Sequence, residues 1–178
     1  NFKTKTDTEV FMEGLIKEGP NFQKKCNGMW AFCLWDKKLK RALLGRDRFG
    51  VKPLYYHLFE DNSLIFASEM KAITPFLSQI EPVENINQKL GNLFDYEYTH
   101  SCAIKGIKKI LPGTYITFEN KDLKEHQYWN TLDNLKFNNN SYLSQVEEWK
   151  EIFLDAVKLR MRSDVKIGST LSGGLDSS

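Results

Sequence analysis

Two kinds of apolar spacing follow one another along the first 130 residues of the chain. Thr6-Asp7-Thr8-Glu9 has the form of a capping box, and apolar residues at helical spacing then continue to Gly19-Pro20, which predicts a helix. Strand-like runs come next and indicate three hairpins: 29–36 with 41–46, 54–59 with 64–67, and 114–119 with 123–128. Short helical segments are expected near 69–73 and 86–94. The pattern predicts an α+β fold built mainly on antiparallel sheet.

The first of these strands and the segment after its hairpin have structural interpretations. Residues 29–36 carry apolar side chains on both faces, so we expect this strand to lie deep in the protein, with Trp30 and Trp35 as core bulk and not as ligand contacts. The segment 46–53 alternates in charge and contains Gly50 and Pro53, which is typical of a turn that fixes the hairpins. A role as an active-site loop or at a domain interface stays open for it.

The pattern changes after residue 130. Residues 131–141 are polar and rich in Asn, which is typical of a linker. Apolar residues then recur at three- and four-residue spacing over 142–162 and predict a helix. Residues 165–171 read as a short strand that leads into Ser172-Gly173-Gly174. A helix, a strand and a glycine loop in this order are typical of the opening of a parallel α/β domain.

Composition narrows the function classes. The 178 residues carry 25 Lys and Arg against 23 Asp and Glu, a net charge of +2, which argues against a nucleic-acid partner. No apolar run approaches the roughly 20 residues that span a bilayer, and no basic-then-apolar leader opens the chain. Three cysteines without CxxC spacing and three scattered histidines suggest a cytoplasmic protein without disulfides or a metal site, in which all six residues are structural and buried or half-exposed.

The segment Ser172-Gly173-Gly174-Leu175-Asp176-Ser177 is the most informative motif. Glycines let the backbone approach a phosphate closely, and consecutive N–H groups form an anion-binding nest. Asp176 would repel an anion, so it suits a loop brace or a group that acts through bound Mg²⁺. The motif lacks the Lys of a Walker loop. A polar turn after an edge strand is the structural alternative.

Several blocks together resemble a known family. They are 28–32, 45–56, 66–71, 111–113 and the SGGLDSS segment at 172–178. The chain resembles the class II glutamine amidotransferases that continue into an ATP-pyrophosphatase-type domain, and within them the glutamine-hydrolysing asparagine synthetases. The resemblance implies an α+β N-terminal-nucleophile domain, an αββα sandwich of which 1–130 is the later part. A linker at 131–141 and the start of an α/β adenine-nucleotide-binding synthetase domain at 142–178 would follow, so we expect an internal fragment.

The resemblance also implies an activity in two half-reactions. One site hydrolyses glutamine to glutamate and ammonia. The other converts aspartate and ATP to β-aspartyl-AMP, which ammonia attacks to give asparagine, AMP and pyrophosphate. The implied cofactors are ATP and Mg²⁺, and the substrates are glutamine and aspartate. A homodimer is expected for the intact protein, with no nucleic-acid or membrane partner.

Site residues carry over one by one. Asp7 matches the carboxylate that holds the α-ammonium of glutamine, although a first-turn Asp is also favoured by the helix dipole alone. The residues that match the ATP-binding loop are Leu171, Ser172, Gly173, Gly174, Asp176 and Ser177. The family's nucleophile is a cysteine at the mature N terminus, whereas this chain begins with Asn1 and none of Cys26, Cys33 and Cys102 is terminal. We therefore assign no catalytic residue and expect residues 1–178 alone to be inactive.

Two rival functions stay open at this stage. One is an amidotransferase of the same build that acts on another carboxylate, in a sugar acid or a peptide. The other is a non-catalytic remnant that binds partners. We also expect residues 142–178 to be loosely held or aggregation-prone when alone, because the helix and strand expected there carry apolar faces.

Overall fold

The computed structural model describes residues 2–84, 86, 91, 96 and 98–175. The chain divides into two compact units, Asn1–Asn134 and Leu135–Ser178. The first unit opens with helix α1, Asp7–Glu18, and a 3-10 helix, Gly19–Lys25. Its strands are β1 Ala31–Asp36, β2 Arg41–Arg46, β3 Tyr55–Leu58, β4 Leu64–Ala67, β5 Lys108–Lys109, β6 Thr114–Glu119 and β7 Asp122–Gln127. The second unit contains helix α2, Tyr142–Arg160.

The strands form two antiparallel sheets, which confirms an α+β fold. One sheet has the order β1-β2-β6-β7 and the other β4-β3-β5. All three predicted hairpins form. The β6–β7 hairpin turns through Asn120 and Lys121, whose φ angles of 51° and 64° belong to the tight turns that match the twist of paired strands.

The main core lies where the two sheets meet. Leu44 and Ile116 from the four-stranded sheet form one buried cluster with Tyr56 of β3 and with Leu54 and Ile110 beside it. Strand β2 is the most buried strand because it is paired on both sides and packed into this cluster.

Strand β1 departs from expectation. It is the edge strand of its sheet and not a deeply buried one. Ala31 packs against the main core, but Cys33 and Trp35, which follow on the same face, are exposed; Trp35 is 52% accessible. The expectation of a buried Trp35 is therefore wrong, and so is that of a buried or half-exposed Cys33. Aromatic content marks a strand, whereas its place in the sheet depends on distant partners.

The predicted helical segment at 69–73 becomes two short 3-10 helices, Met70–Ala72 and Thr74–Phe76. Most of the segment predicted at 86–94 lies outside the described residues. A further 3-10 helix, Thr131–Asn134, ends the first unit.

Within the second unit, α2 forms as predicted and ends two residues earlier, at Arg160. Ser141 caps it, because its hydroxyl accepts a 3.3 Å hydrogen bond from the N–H of Ser144. The apolar stripe of α2 is exposed, with Leu143 and Trp149 at 75% and 63%. The predicted strand at 165–171 is wrong: these residues form no strand. A strand needs a paired neighbour, and the described part of this unit contains no other strand.

Candidate functional site

A buried carboxylate organises the turn at 46–53. Asp47 is 1% exposed, and its side chain accepts hydrogen bonds from the backbone N–H groups of Trp30, Phe49, Val51 and Lys52 at 3.0 to 3.3 Å. Bonds from several donors stabilise a buried charge that would otherwise be costly. The turn therefore wraps around Asp47, and the first of these bonds ties it to the chain just before β1.

The neighbouring Arg46 holds the same turn from its carbonyl side. Its guanidinium is buried and donates to the carbonyls of Lys52 at 2.7 Å, Ile110 at 2.8 Å and Gly50. Gly50 has a φ of 66°, and a Cβ there would lie 2.8 Å from the side chains of Arg46 and Pro112. The side chains of Arg46 and Asp47 therefore bind backbone groups, most of them in the turn itself, which confirms the interpretation of this segment as a turn.

The turn brings Lys52 and Pro53 to the edge of a cavity of about 860 Å³. Asp7 and Thr8 of α1 line it on one side, and residues 25–32 line it on another. Its walls include four aromatic side chains, those of Phe11, Phe22, Trp30 and Phe32. The charged lining residues are Asp7, Lys25 and Lys52.

Local hydrogen bonds fix the helix end that carries Asp7. The Thr6 hydroxyl accepts from the N–H of Glu9 at 3.4 Å, as a capping box requires. The Glu9 carboxylate reaches back past Thr6 and accepts from the N–H groups of Lys3 at 2.7 Å and Thr4 at 2.6 Å. The side-chain bond from Thr4 and these backbone bonds hold the pKa of Glu9 below its ordinary value. The chain before α1 is therefore tied to the first turn of the helix.

Asp7 itself is exposed at the first position of α1. Within the described part of the chain, its carboxylate has one hydrogen bond, a long one of 3.4 Å from the Thr8 hydroxyl. Lys25, in contrast, forms an ion pair with Glu18 at 2.5 Å. A carboxylate with spare acceptor capacity at the edge of a cavity can bind an ammonium group.

The aromatic wall is built around Phe11. Its ring centroid lies 5.1 Å from that of Phe32, 5.6 Å from Trp30 and 6.1 Å from Phe22. Sequence reasoning missed this wall, because it treated Trp30 as core bulk. The signal that could have found it is the helical spacing of Asp7 and Phe11, which puts both on one face of α1.

The described part of the predicted phosphate loop lies in the second unit, whereas Asp7 lies in the first. Residues 171–174 are exposed, and Gly173 has a φ of 77° with open space where a Cβ would stand. The N–H of Gly174 donates to the Ser172 hydroxyl at 3.4 Å. Asp176 and Ser177 lie outside the described residues.

The described residues contain no group of three or more His, Cys, Asp or Glu side chains that could hold a metal ion. No helix among them has the length and apolar character needed to cross a membrane. The three cysteines are free thiols, of which Cys26 lines the cavity.

Comparison with known protein families decides which family the first unit represents. The family described as "Glutamine amidotransferase domain" matches residues 1–129. The chain belongs to this family. A second family, described as "Asparagine synthase", matches residues 148–178 of the same chain. An amidotransferase domain is thus followed by the start of an asparagine synthase domain, as the sequence motifs suggested.

Curated relatives resemble this chain over almost its whole length. A protein of Methanocaldococcus jannaschii, provisionally named asparagine synthetase (glutamine-hydrolysing) 2, is 39% identical over 99% of this chain and 34% of its own length. Asparagine synthetase (glutamine-hydrolysing) 3 of Bacillus subtilis is 34% identical over 99% of this chain and 28% of its own length. Amidase chry2 of Gibberella zeae is 31% identical over 99% of this chain and 26% of its own length. The chain therefore spans about a third or less of the length of these relatives.

Proposed function

We propose that the chain is part of a glutamine-hydrolysing asparagine synthetase, which converts ATP, aspartate and glutamine to asparagine, glutamate, AMP and pyrophosphate. One observation carries the proposal: a glutamine amidotransferase match over 1–129 is followed in the same chain by an asparagine synthase match over 148–178. Each half-reaction of such an enzyme needs one of these two domains. The relatives named as glutamine-hydrolysing asparagine synthetases support the same function.

The first unit serves the glutaminase half-reaction in this proposal, as the later part of an N-terminal-nucleophile domain. Two antiparallel sheets share one core, and Phe11 of α1 packs against Phe32 of β1, the edge strand of the four-stranded sheet. This layering supports the αββα sandwich. The family's nucleophile is a terminal cysteine, and the proposal gives that role to none of Cys26, Cys33 and Cys102.

Asp7 binds the α-ammonium group of glutamine in this proposal. Three observations support it: the carboxylate is exposed, it has spare acceptor capacity, and it lies at the edge of a cavity of about 860 Å³. That volume falls within the range of ligand pockets. The aromatic wall beside Asp7 would exclude water and so strengthen the ion pair.

The second unit is the start of the domain that carries out the synthetase half-reaction. In this proposal Leu171, Ser172, Gly173 and Gly174 bind ATP. The open space at Gly173 and its positive φ suit a loop that turns its N–H groups toward a pyrophosphate. Binding would require the N–H of Gly174 to exchange its Ser172 partner for a phosphate oxygen. ATP, when bound, supplies the AMP group that activates the aspartate carboxylate. Mg²⁺ belongs to the proposal as the companion of the phosphates, and the family resemblance adds Asp176 and Ser177 to the residues proposed to bind ATP.

The decisive experiment measures glutamate release by the full-length protein and its Asp7→Asn variant. We expect KM for glutamine to rise by roughly a hundredfold, because the charge-assisted hydrogen bond between the Asp7 carboxylate and the ammonium group is lost. Glu13→Gln is the matched control, since it removes the same charge from the same helix at a residue that does not line the cavity. Equal KM values for wild type, Asp7→Asn and Glu13→Gln would remove Asp7 from the glutamine site.

The acceptor is tested by pyrophosphate release. We expect the full-length protein to release pyrophosphate with aspartate and ATP, and to lose this activity without Mg²⁺. Two fungal relatives are named amidases, which favours a second candidate, an amidotransferase that acts on another carboxylate. Release with a sugar acid or a peptide carboxylate but not with aspartate would select that candidate. Absence of both activities would indicate a non-catalytic remnant.

Assembly and location complete the proposal. We expect the intact protein to form a homodimer, which sedimentation equilibrium would test. We also expect a cytoplasmic protein, in line with the free thiols of Cys26, Cys33 and Cys102.

A further inference from the structure

The side chain of Gln23 is completely buried beneath the cavity wall, in the 3-10 helix after α1. Its amide nitrogen donates to the Pro20 carbonyl at 3.2 Å, and its amide oxygen accepts from the indole N–H of Trp30 at 3.2 Å. A buried amide is costly unless both of its groups are bonded, and here both are. Gln23 therefore joins the turn at the end of α1 to an aromatic ring of the wall.

The backbone around this site leaves room for the amide. Gly45 of β2 lies behind it, and a Cβ at Gly45 would lie 2.8 Å from the amide oxygen of Gln23 and 2.4 Å from the ring of Phe32. A side chain at this position in a buried strand would displace one or both of them. The glycine is thus part of the arrangement that seats Gln23.

Trp30 is held at three points. Its backbone N–H donates to the Asp47 carboxylate at 3.3 Å, and its backbone carbonyl accepts from the backbone N–H of Asp47 at 2.9 Å. These two bonds fix the backbone and leave the ring free to rotate. The hydrogen bond to Gln23 is the directional contact that selects one orientation of the indole.

The orientation of the indole affects α1. The Trp30 ring packs against Phe11, which lies one helical turn after Asp7 on the same face of α1. Asp7, Phe11 and Trp30 all line the cavity. The face of α1 that carries Asp7 therefore rests on a ring whose angle is set by Gln23.

We propose that Gln23 is a positioning residue. Its hydrogen bond fixes the orientation of the Trp30 indole, against which Phe11 of α1 packs, and this packing sets the position of the Asp7 carboxylate at the cavity. Its kinetic consequence rests on the proposed function, in which Asp7 binds glutamine. A purely structural Gln23 would contribute to stability and leave KM for glutamine unchanged. A positioning Gln23 changes KM, and it does so only through the indole N–H.

Two single variants and their combination test this in the full-length protein. Gln23→Leu keeps the approximate volume and removes both bonds, and Trp30→Phe keeps an aromatic ring and removes the N–H. We expect each single variant to raise KM for glutamine roughly tenfold with kcat within about twofold. The double variant should show the same increase as either single variant, because both remove one shared contact. Multiplied increases, or an unchanged KM in Gln23→Leu, would overturn the proposal.

A second measurement is independent of catalysis. Hydrogen exchange of the indole N–H groups is followed by nuclear magnetic resonance, and the Trp30 signal is assigned by its loss in Trp30→Phe. We expect Gln23→Leu to speed exchange at Trp30 by roughly tenfold or more. The indole of Trp129, which donates to the Thr131 hydroxyl at 3.2 Å, is the internal control and should not change.

These readouts separate the two proposals. If the wild-type protein does not hydrolyse glutamine, the proposed function fails, and the exchange rate at Trp30 still decides the role of Gln23. Unchanged exchange at Trp30 in Gln23→Leu would overturn the positioning role whatever the activity. If Gln23→Leu does not fold, Trp30→Phe makes the same test from the other side of the bond. An unchanged KM in that variant then counts against the proposal.

Discussion

The hydroxyl of Tyr128 donates a 2.9 Å hydrogen bond to the backbone carbonyl of Arg46, 82 residues earlier in the chain. Tyr128 follows β7, and Arg46 is the last residue of β2, so the bond joins the end of the sheet to the turn built around Asp47. Tyr128 is 5% exposed. The contact links the segment after the sheet to the same turn that carries Lys52 to the cavity.

Removing this hydroxyl should destabilise the first unit. Tyr128→Phe leaves the Arg46 carbonyl without its side-chain partner, which costs roughly 1–3 kcal/mol for a buried acceptor. Urea unfolding followed by far-ultraviolet circular dichroism measures the loss. Tyr98→Phe is the control, since Tyr98 is 72% exposed and should change stability by less than about 0.5 kcal/mol. Equal effects of the two variants would show that the bond contributes nothing.

The buried tyrosines also predict a loss of stability in alkali. Burial raises the pKa of Tyr56 to about 12 and raises that of Tyr128, with the Asp47 charge adding to the effect there. A raised pKa means that the folded state favours the neutral phenol. This contribution is complete below the ordinary tyrosine pKa of 10 and is lost as the pH rises from 10 through the folded pKa.

We therefore expect the free energy of unfolding to fall between about pH 10 and about pH 12, by roughly 2 kcal/mol from Tyr56. Urea unfolding at a series of pH values measures this fall. Tyr56→Phe should show a shallower decrease than the wild type, because it lacks the buried phenol that ionises. Parallel curves for wild type and variant would contradict the raised pKa.

Asp47 carries the largest expected effect of a single charge. Asp47→Asn replaces one acceptor oxygen by an NH₂ group, which points donors at the N–H groups of Trp30 and Lys52. We expect a loss of about 3 kcal/mol or more, since bonds to a charged acceptor are among the strongest. Urea unfolding measures it, and Asp122→Asn is the control, because that side chain is 60% exposed. A loss as small as that of the control would mean that the turn forms without its carboxylate.

The turns and hairpins could be predicted because their signals are local. Asn120 and Lys121 mark the β6–β7 turn, and the run with Gly50 and Pro53 marks the turn around Asp47. The exposure of Trp35 could not be predicted, because it depends on which strand lies at the edge of the sheet. The absence of a strand at 165–171 has the same origin, since a strand needs a neighbour in addition to a suitable sequence.

The candidate site divides in the same way. The roles of Asp7 and of the glycines of the phosphate loop were predicted from motifs and family resemblance, and they stay predictions. The aromatic wall and Gln23 were not, because the contact of Gln23 with Trp30 depends on how the segment after α1 folds against β1. A buried glutamine among Lys residues carries no sequence signal that distinguishes it from a surface one. Tertiary contacts decide its role.

In a polypeptide of residues 1–178, the second unit should exchange its amide hydrogens faster than the core of the first. Helix α2 has no buried residue, and residues 163–174 belong to no helix or strand, with only Leu175 in 3-10 conformation. Leu43 and Leu44 of β2, in contrast, are buried and lie between two paired strands. Protection follows burial and local stability, so we expect residues 163–175 to exchange within seconds and β2 to stay protected for hours or longer.

Exchange followed by mass spectrometry on peptides from both units tests this. Helix α2 should show intermediate protection, because a helix of 19 residues retains its own hydrogen bonds. The Trp149–Phe153 pair, stacked at 5.1 Å, adds to this protection. Peptides from β7, which is a paired edge strand, serve as the internal reference for partial protection. Protection across 142–175 equal to that of β2 would contradict a loosely held second unit. It would mean that the exposed apolar stripe of α2 is covered in solution.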